Sequence, residues 1–225
     1  MNPIQQPLSS TPWTRRAAAR LLGGGLALLA SGTAVAAPGK QKKPRKKPKF
    51  RTITRTFRND SSIDIRDDTI ANPYPSTIKV SGFKQGKLLD VNVKLENLCH
   101  GDPSDIDVLL QAPNGRRAII MSDAGDAFDV TNITITLDDQ AAEGLRFTSP
   151  LSSGRFKPTN FGTVGSGDDA FPPPAPAGDT ANVELATFDG INPNGTWRLF
   201  VVDDIDEGAG SIGSWALTIK ARVRV

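Results

Sequence analysis

The sequence predicts an all-β fold, an antiparallel β-sandwich of the jelly-roll type. Apolar and polar residues alternate with a period of two, as at Leu89, Val91, Val93 and Leu95, and this alternation is typical of strands with one buried face. Turn formers such as Pro113-Asn114-Gly115 separate the alternating segments at the spacing of sandwich connections. No segment has a helical period. The alternation and the turn residues together therefore indicate an all-β sandwich.

Four further segments show the same alternation, and each is predicted to be a strand. Their predicted core residues are Ile106, Val108 and Leu110; Ile133, Ile135 and Leu137; Trp197, Leu199 and Val201; and Trp215, Leu217 and Ile219. They belong to one predicted domain, residues 55–225, which is long enough to bury a sizeable core. Residues 148–179 are rich in Gly, Ser and Pro. We expect them to form a long surface loop of this domain.

The N-terminal residues predict export from the cytoplasm. The pair Arg15-Arg16 precedes an apolar run from Leu21 to Ala30, which is too short to span a bilayer. An A-x-A cleavage pattern ends at Ala36, so residues 1–36 are predicted to be a signal peptide. The paired arginines favour the twin-arginine type, with an ordinary secretory signal as the alternative. We expect a secreted or cell-surface protein without a transmembrane segment in the mature chain.

Charge is distributed unevenly along the chain. Of the 27 Lys and Arg residues, eleven precede Thr52, and the 16 that remain face all 24 Asp and Glu residues, so this part has a net charge of −8. Residues 37–54 combine Lys and Arg with Pro, a composition that buries too little apolar surface to fold. We expect a solvated tether, either a simple spacer or a contact for an anionic surface polymer or lipid headgroups, without specific nucleic-acid recognition.

Catalysis is not predicted. A serine hydrolase needs a histidine base beside its nucleophile, but His100, at the end of a predicted strand, is the single histidine, and no serine lies in a G-x-S-x-G elbow. Its neighbour Cys99 is predicted to be a small buried residue that points to the opposite face. One cysteine excludes an intrachain disulfide, and two adjacent ligands are too few for structural zinc. Adjacent aspartates such as Asp138-Asp139 have the wrong geometry for glycoside hydrolysis.

Clustered aspartates make calcium the one candidate cofactor, because hard cations take several oxygen ligands. Three groups are rich in carboxylates: Asp123, Asp126 and Asp129 around Gly125; Asp203, Asp204 and Asp206, followed by Glu207; and Asp105 with Asp107. The first two groups are the predicted metal ligands, and the third pair points to one side of its strand. Acidic residues also cap turns without any metal, so each group has a purely structural alternative.

Three motifs resemble a known family. Residues 103–115 are similar to the pattern SDL-x-x-x-L-x-x-P-x-G, residues 195–199 to G-x-W-x-L, and residues 210–217 to a closing G-x-L-x-x-W-x-L. Together they resemble the P/Homo B domain, the β-sandwich that follows the catalytic domain in kexin-like proprotein convertases and in exported bacterial subtilisin-like proteases. The resemblance covers residues 57–220, and the residues before it have the signal and tether patterns described above.

The resemblance implies an exported, non-catalytic accessory or binding module that contacts another exported protein or a surface polymer. In the resembled proteases this domain packs against the catalytic domain and supports its folding. The alternative is therefore a part in a serine endopeptidase system, in which the chain acts in trans on a separate subtilisin-like protease.

Overall fold

The computed structural model describes residues 47–162, 169–177, 182–206 and 208–225. The predicted signal peptide, most of the predicted tether and Glu207 lie outside the described residues. The described chain forms two sheets that pack as a β-sandwich, with two short 3₁₀ turns and no α-helix among these residues. The all-β sandwich predicted from the sequence is confirmed. None of the described residues belongs to a helix of the length and apolar character that a bilayer span requires.

The first sheet is built around two long antiparallel strands. Its strands are β1 (Phe50–Asn59), β2 (Ile63–Ile65), β5 (Lys87–His100), β8 (Val130–Leu137), β9 (Gly154–Phe156) and β12 (Gly210–Arg224). The order is β1-β12-β5-β8-β9, and β2 pairs with the beginning of β12. Only β8 and β9 run parallel. The strand β1 therefore lies at one edge of this sheet.

The second sheet also contains six strands. Its strands are β3 (Thr69–Ile70), β4 (Ser76–Val80), β6 (Ile106–Gln111), β7 (Arg117–Ser122), β10 (Thr159–Asn160) and β11 (Gly195–Asp203). The order is β10-β7-β6-β11-β3, and β4 pairs with the beginning of β11. The β7–β10 pair is parallel, so two of the pairings depart from a purely antiparallel sandwich.

The core between the sheets contains the predicted apolar faces. Trp197 on β11 and Trp215 on β12 are both 0% exposed. Each indole N–H donates a hydrogen bond, from Trp197 Nε1 to the Pro193 carbonyl (3.0 Å) and from Trp215 Nε1 to Ser76 Oγ (2.9 Å). Buried Trp residues require such partners because an unpaired buried donor is costly. The predicted placement of both Trp residues in the core is confirmed.

One predicted core residue is on the wrong face. Leu89 is 43% exposed, whereas Leu88 is 1% exposed. The β5–β12 register shifts between Lys220 and Ala221, next to the pairing of Ala221 with Leu88. A bulge of this kind moves side chains to the opposite face, because the side-chain period of a strand is two residues. Alternation in the sequence does not reveal where such a shift occurs.

The ends of the predicted tether and loop are structured. The strand β1 begins at Phe50, within the predicted tether, because Phe50–Asn59 pair with β12 along their whole length. Within the predicted loop, residues 148–179, β9 and β10 add to the two sheets. Residues 169–177 of this loop lie on the outer face of the second sheet, where Tyr74 Oη donates to the Pro172 carbonyl (3.0 Å).

A second apolar cluster holds this segment on the sheet: Leu109, Ile119, Ala175 and Phe200, with Tyr74 and Phe171 packed against it. Burial raises the pKa of the Tyr74 hydroxyl to about 12. The covering segment therefore excludes water from the outer face of β6 and β11, next to the position of Asp107.

Candidate functional site: an acidic cluster at the end of the second sheet

Three carboxylates converge where neighbouring strands of the second sheet end. One carboxylate oxygen from each of Asp107, Asp123 and Asp169 lies within 4.8 Å of the others. Asp107 and Asp123 are 1% and 7% exposed, and Asp169 is half-buried. These residues come from β6, from the loop after β7 and from the covering segment, so tertiary pairing alone brings them together.

Strand register explains why these residues meet. Asp107 pairs with Val202 of β11, and Val108 pairs with Met121 of β7, which places Ser122 beside Asp107. Asp107 also points away from the inter-sheet core, because its neighbours Ile106 and Val108 point into it. The result is an acidic side chain on the outer face, buried beneath residues 169–177.

The loop after β7 turns at once to present Asp123. Asp123 has φ 49°, in the left-handed region that Asp tolerates better than most residues. Gly125 has φ 113°, and a Cβ there would lie 2.7 Å from the Leu151 side chain, so glycine is needed at this position. This turn keeps Asp123 in the cluster and sends the following residues to the surface.

Polar side chains surround the carboxylates. Ser122 Oγ lies 2.6 Å from Asp123 Oδ2 and 2.9 Å from Asp169 Oδ1. Its single hydroxyl hydrogen can serve only one of these oxygens at a time. Asn160 Nδ2 donates to Asp169 Oδ2 (2.8 Å), and Asn160 pairs with Ser122 in the β7–β10 register. The site therefore groups several carboxylate oxygens around one hydroxyl and one amide.

The like charges of the cluster perturb its titration. Burial, and after it the charges of Asp169, Asp204 and Asp123, raises the pKa of Asp107 from 3.8 to about 9. Burial and the charges of Asp123, Asp169 and Asp203 raise the pKa of Asp204 to about 6. Asp204 is therefore a fourth carboxylate beside the three, held where Asp204 N donates to the Asp105 carbonyl (3.2 Å).

Asp203 and Asp204 separate at the end of β11. Asp203 points into the sandwich and is 0% exposed, and its Oδ2 lies 3.0 Å from His100 Nε2. Asp204 points to the outer face, toward Asp107. Adjacent residues at the end of a strand diverge in this way because side chains alternate between faces. The predicted group of Asp203, Asp204 and Asp206 is thus split between two environments.

The structure redistributes the predicted metal ligands. It places Asp123 and Asp204 with Asp107, whereas Asp126, Asp129 and Asp206 are exposed and do not belong to the described cluster. Sequence proximity suggested two separate loops, but the two loops meet at one sheet end.

Asp105 and Asp107 are both buried, as part of the 3₁₀ turn Pro103–Asp105 and of β6. Sequence reasoning did not include Asp169 as a ligand. The feature of the sequence that could have indicated Asp169 is the adjacent pair Asp168-Asp169 in the predicted loop.

The acidic pair Asp138-Asp139 has structural roles. Asp138 is fully buried and forms an ion pair with Arg155. The carboxylate of Asp139 accepts from Leu185 N (2.9 Å) and Ala186 N (2.7 Å), at the start of a 3₁₀ turn. A carboxylate whose oxygens both accept backbone hydrogen bonds is poorly placed to act as nucleophile or base.

Cys99 is half-buried, not buried as predicted. Its thiol lies next to Asn132, whose backbone N–H donates to Cys99 Sγ (3.2 Å). His100, the next residue, is 3% exposed and faces the interior. The expected divergence of the two side chains explains both observations, because β5 is extended here.

These features define a β-sandwich module with a buried acidic cluster at one sheet end. No family model matches the chain, and no curated protein matches it. Among solved structures it is similar to the serine protease of Aeromonas sobria, with 15% identity and a TM-score of 0.39 over 79% of this chain and 28% of that chain. It is also similar to a chain in the structure of the Aeromonas sobria serine protease and chaperone complex, with 17% identity and a TM-score of 0.37 over 77% of this chain and 27% of that chain. The chain thus spans less than a third of those chains.

Proposed function

We propose that the protein is a non-catalytic accessory module of an exported proteolytic system, and that it acts by binding a separate exported protein. The resemblance to the P/Homo B domain supports this function through the positions of its motifs. The first motif includes β6, the second begins β11, and the third begins β12. All three are interior strands of their sheets, so the motif residues are the ones around which such a sandwich is built.

The main support for a non-catalytic role is the environment of His100, the only histidine in the chain. The side chains of His100 and Asp203 are both 0% exposed and lie 3.0 Å apart. A histidine that acts as general base must reach a nucleophile and a substrate. The sealed position of His100 supports a role in the core, and it leaves the protein without a solvent-accessible imidazole.

The decisive experiment combines an activity probe with capture. Purified protein is treated with a fluorophosphonate, which labels the nucleophilic serine of serine hydrolases, and is assayed on casein and on dibasic peptides. We expect neither labelling nor hydrolysis. Stoichiometric labelling of a serine in this chain would overturn the non-catalytic assignment.

The same reagent tests the partner. The immobilised protein captures proteins from the exported fraction, with and without calcium, and the eluate is labelled with the fluorophosphonate. We expect a labelled band that is distinct from the bait and identifiable by mass spectrometry as a subtilisin-like protease. Capture without any labelled band would contradict a partnership with an active serine protease.

A second candidate function, attachment to an anionic surface polymer or lipid headgroups, is favoured by a basic strip at the tether end of the first sheet. The basic strip consists of Lys87, Lys220, Arg222 and Arg224, which are exposed and alternate with the buried Ala221 and Val223. Lys87 and Arg222 are directly opposite in register, an arrangement that is unfavourable without a counter-charge. Arg222 also stacks on the exposed Phe50 ring (4.3 Å).

Sedimentation with vesicles tests this second function. We expect binding to vesicles that contain phosphatidylglycerol and weaker binding by Arg222→Gln. The matched control is Arg66→Gln, which removes the same charge near β2, where the ion-pair partner is Asp64. Equal binding by both variants would attribute the attraction to net charge and not to the basic strip. Binding should decline with salt, because exposed charges are screened.

A further inference from the structure

The acidic cluster contains buried oxygens that the protein itself does not satisfy. Asp107 Oδ2 and Asp204 Oδ1 are buried and accept no hydrogen bond from any of the residues that the structure describes. Asp107 as a whole is 1% exposed. Almost all buried polar side-chain atoms have a partner in native proteins, since leaving one without any is costly. A bound cation would supply the missing partner for a buried carboxylate oxygen that is surrounded by other carboxylates.

Charge points in the same direction. Asp107, Asp123 and Asp169 meet within 4.8 Å, and Asp204 is close enough to perturb Asp107. The charges that raise the pKa of Asp107 and of Asp204 are those of neighbouring aspartates. Several carboxylates in a low-dielectric site repel one another strongly unless a cation or protons neutralise them.

The ligand chemistry selects the kind of cation. The candidate donors are carboxylate oxygens together with Ser122 Oγ and the amide of Asn160, and neither sulfur nor imidazole lies among them. Oxygen ligands favour hard divalent cations. Two oxygens on opposite sides of one Ca²⁺ are separated by about 4.8 Å, twice the usual Ca–O distance of about 2.4 Å. The spacing of the three oxygens is therefore compatible with a shared calcium ion.

We propose that Asp107, Asp123 and Asp169 bind one calcium ion, with Asp204 adjacent to it, at the end of the second sheet. The ion would join β6, the loop after β7 and the covering segment that begins at Asp169. That segment is already attached to the sheet through Tyr74 and the second apolar cluster. Calcium binding therefore stabilises the packed segment and the strand ends together, independently of which partner the module binds.

Thermal unfolding with calcium or EGTA tests the proposal in the chain as it is exported. We expect calcium to raise the Tm of the wild type by several degrees, and magnesium at matched ionic strength to raise it less, since magnesium demands a tighter octahedral shell. Asp107→Asn and Asp169→Asn should lose this calcium response. Isothermal titration calorimetry should give one calcium ion per chain for the wild type.

Asp126→Asn and Asp129→Asn are matched controls, because they remove the same charge from exposed positions of the neighbouring loop. Both should keep the full calcium response. A second readout separates ligation from mere structural support. Asp107→Asn should leave the Tm in EGTA close to or above that of the wild type, since asparagine is nearly isosteric with aspartate and carries no charge that could repel the neighbouring carboxylates.

Two results would overturn the proposal. One is a wild-type Tm that is the same in calcium and in EGTA. The other is a calcium response that survives in both Asp107→Asn and Asp169→Asn or disappears in the Asp126→Asn control, since ions would then be held by exposed aspartates. Because Asp169 is half-buried, its variant keeps the test valid if Asp107→Asn fails to fold.

Discussion

His100 Nε2 lies 3.0 Å from Asp203 Oδ2 inside the sandwich, and neither side chain is exposed to solvent. His100 Nδ1 lies 2.6 Å from the Asp102 carbonyl oxygen and 3.2 Å from Asp102 N. Asp203 Oδ1 accepts from Asp68 N (3.0 Å), and burial raises the pKa of Asp203. The buried pair therefore joins the end of β5 to the end of β11.

Removal of one member of this pair should be strongly destabilising. We expect His100→Ala to lower the free energy of unfolding by about 3–5 kcal/mol, since it leaves Asp203 buried without its partner. Urea denaturation measures the change. Asp203→Asn and the double variant complete a cycle, in which the two single effects should add to more than the double effect. Additive effects would indicate that the two groups do not interact.

The two buried Trp residues should each be essential for stability. We expect Trp197→Ala and Trp215→Ala to cost about 3–5 kcal/mol each, because each leaves a large cavity and removes a buried hydrogen bond. Phe128→Ala is the control, since Phe128 is 46% exposed, and its effect should be small. Chemical denaturation compares the three, and a midpoint unchanged by either Trp replacement would contradict the observed packing.

The bulge in β5 can be tested with two adjacent leucines. Leu88→Ala should cost about 2–5 kcal/mol, because Leu88 is buried in the core. Leu89→Ala should change stability by less than about 0.5 kcal/mol, since its side chain is largely in solvent. The reverse order would mean that β5 keeps an unbroken alternation. Equilibrium unfolding of both variants under one set of conditions decides between these registers.

The acidic cluster should make the stability of the metal-free protein depend on pH. The folded-state pKa of Asp107 is about 9 and that of Asp204 about 6, against an ordinary value of 3.8. Between these values the folded state binds more protons than the unfolded chain. The contribution of these groups is therefore most favourable below pH 3.8 and is lost as the pH rises through about 6 toward about 9.

Other groups also titrate in this pH range, so the contribution of Asp107 is measured by comparing the wild type with Asp107→Asn. Glu96 acts in the opposite direction, because its hydrogen bond with Arg58 lowers its pKa to about 2. In EGTA, the difference in unfolding free energy between the wild type and Asp107→Asn should move in favour of the variant as the pH rises. A difference that is constant between about pH 4 and about pH 9 would contradict the raised pKa.

Alternation in the sequence was sufficient to predict the strands and most of the core. The inward faces of β6, β11 and β12 are buried as expected, because burial of one sheet face requires a period of two. Both Trp positions follow from the same rule. Leu89 is the exception, since a bulge depends on how β5 pairs with β12 and has no local signature in the alternation.

The acidic cluster depended on tertiary structure. Composition alone determined that carboxylates are abundant after Thr52, and the local density of Asp residues indicated two loops. Which carboxylates meet was decided by register, which places Asp107 beside the end of β7, and by the covering segment, which carries Asp169. Asp203 and Asp204 are neighbours in the chain, yet one lies against His100 and the other faces Asp107. Strand geometry sends adjacent side chains to opposite faces, and only the packing on each face determines what they contact.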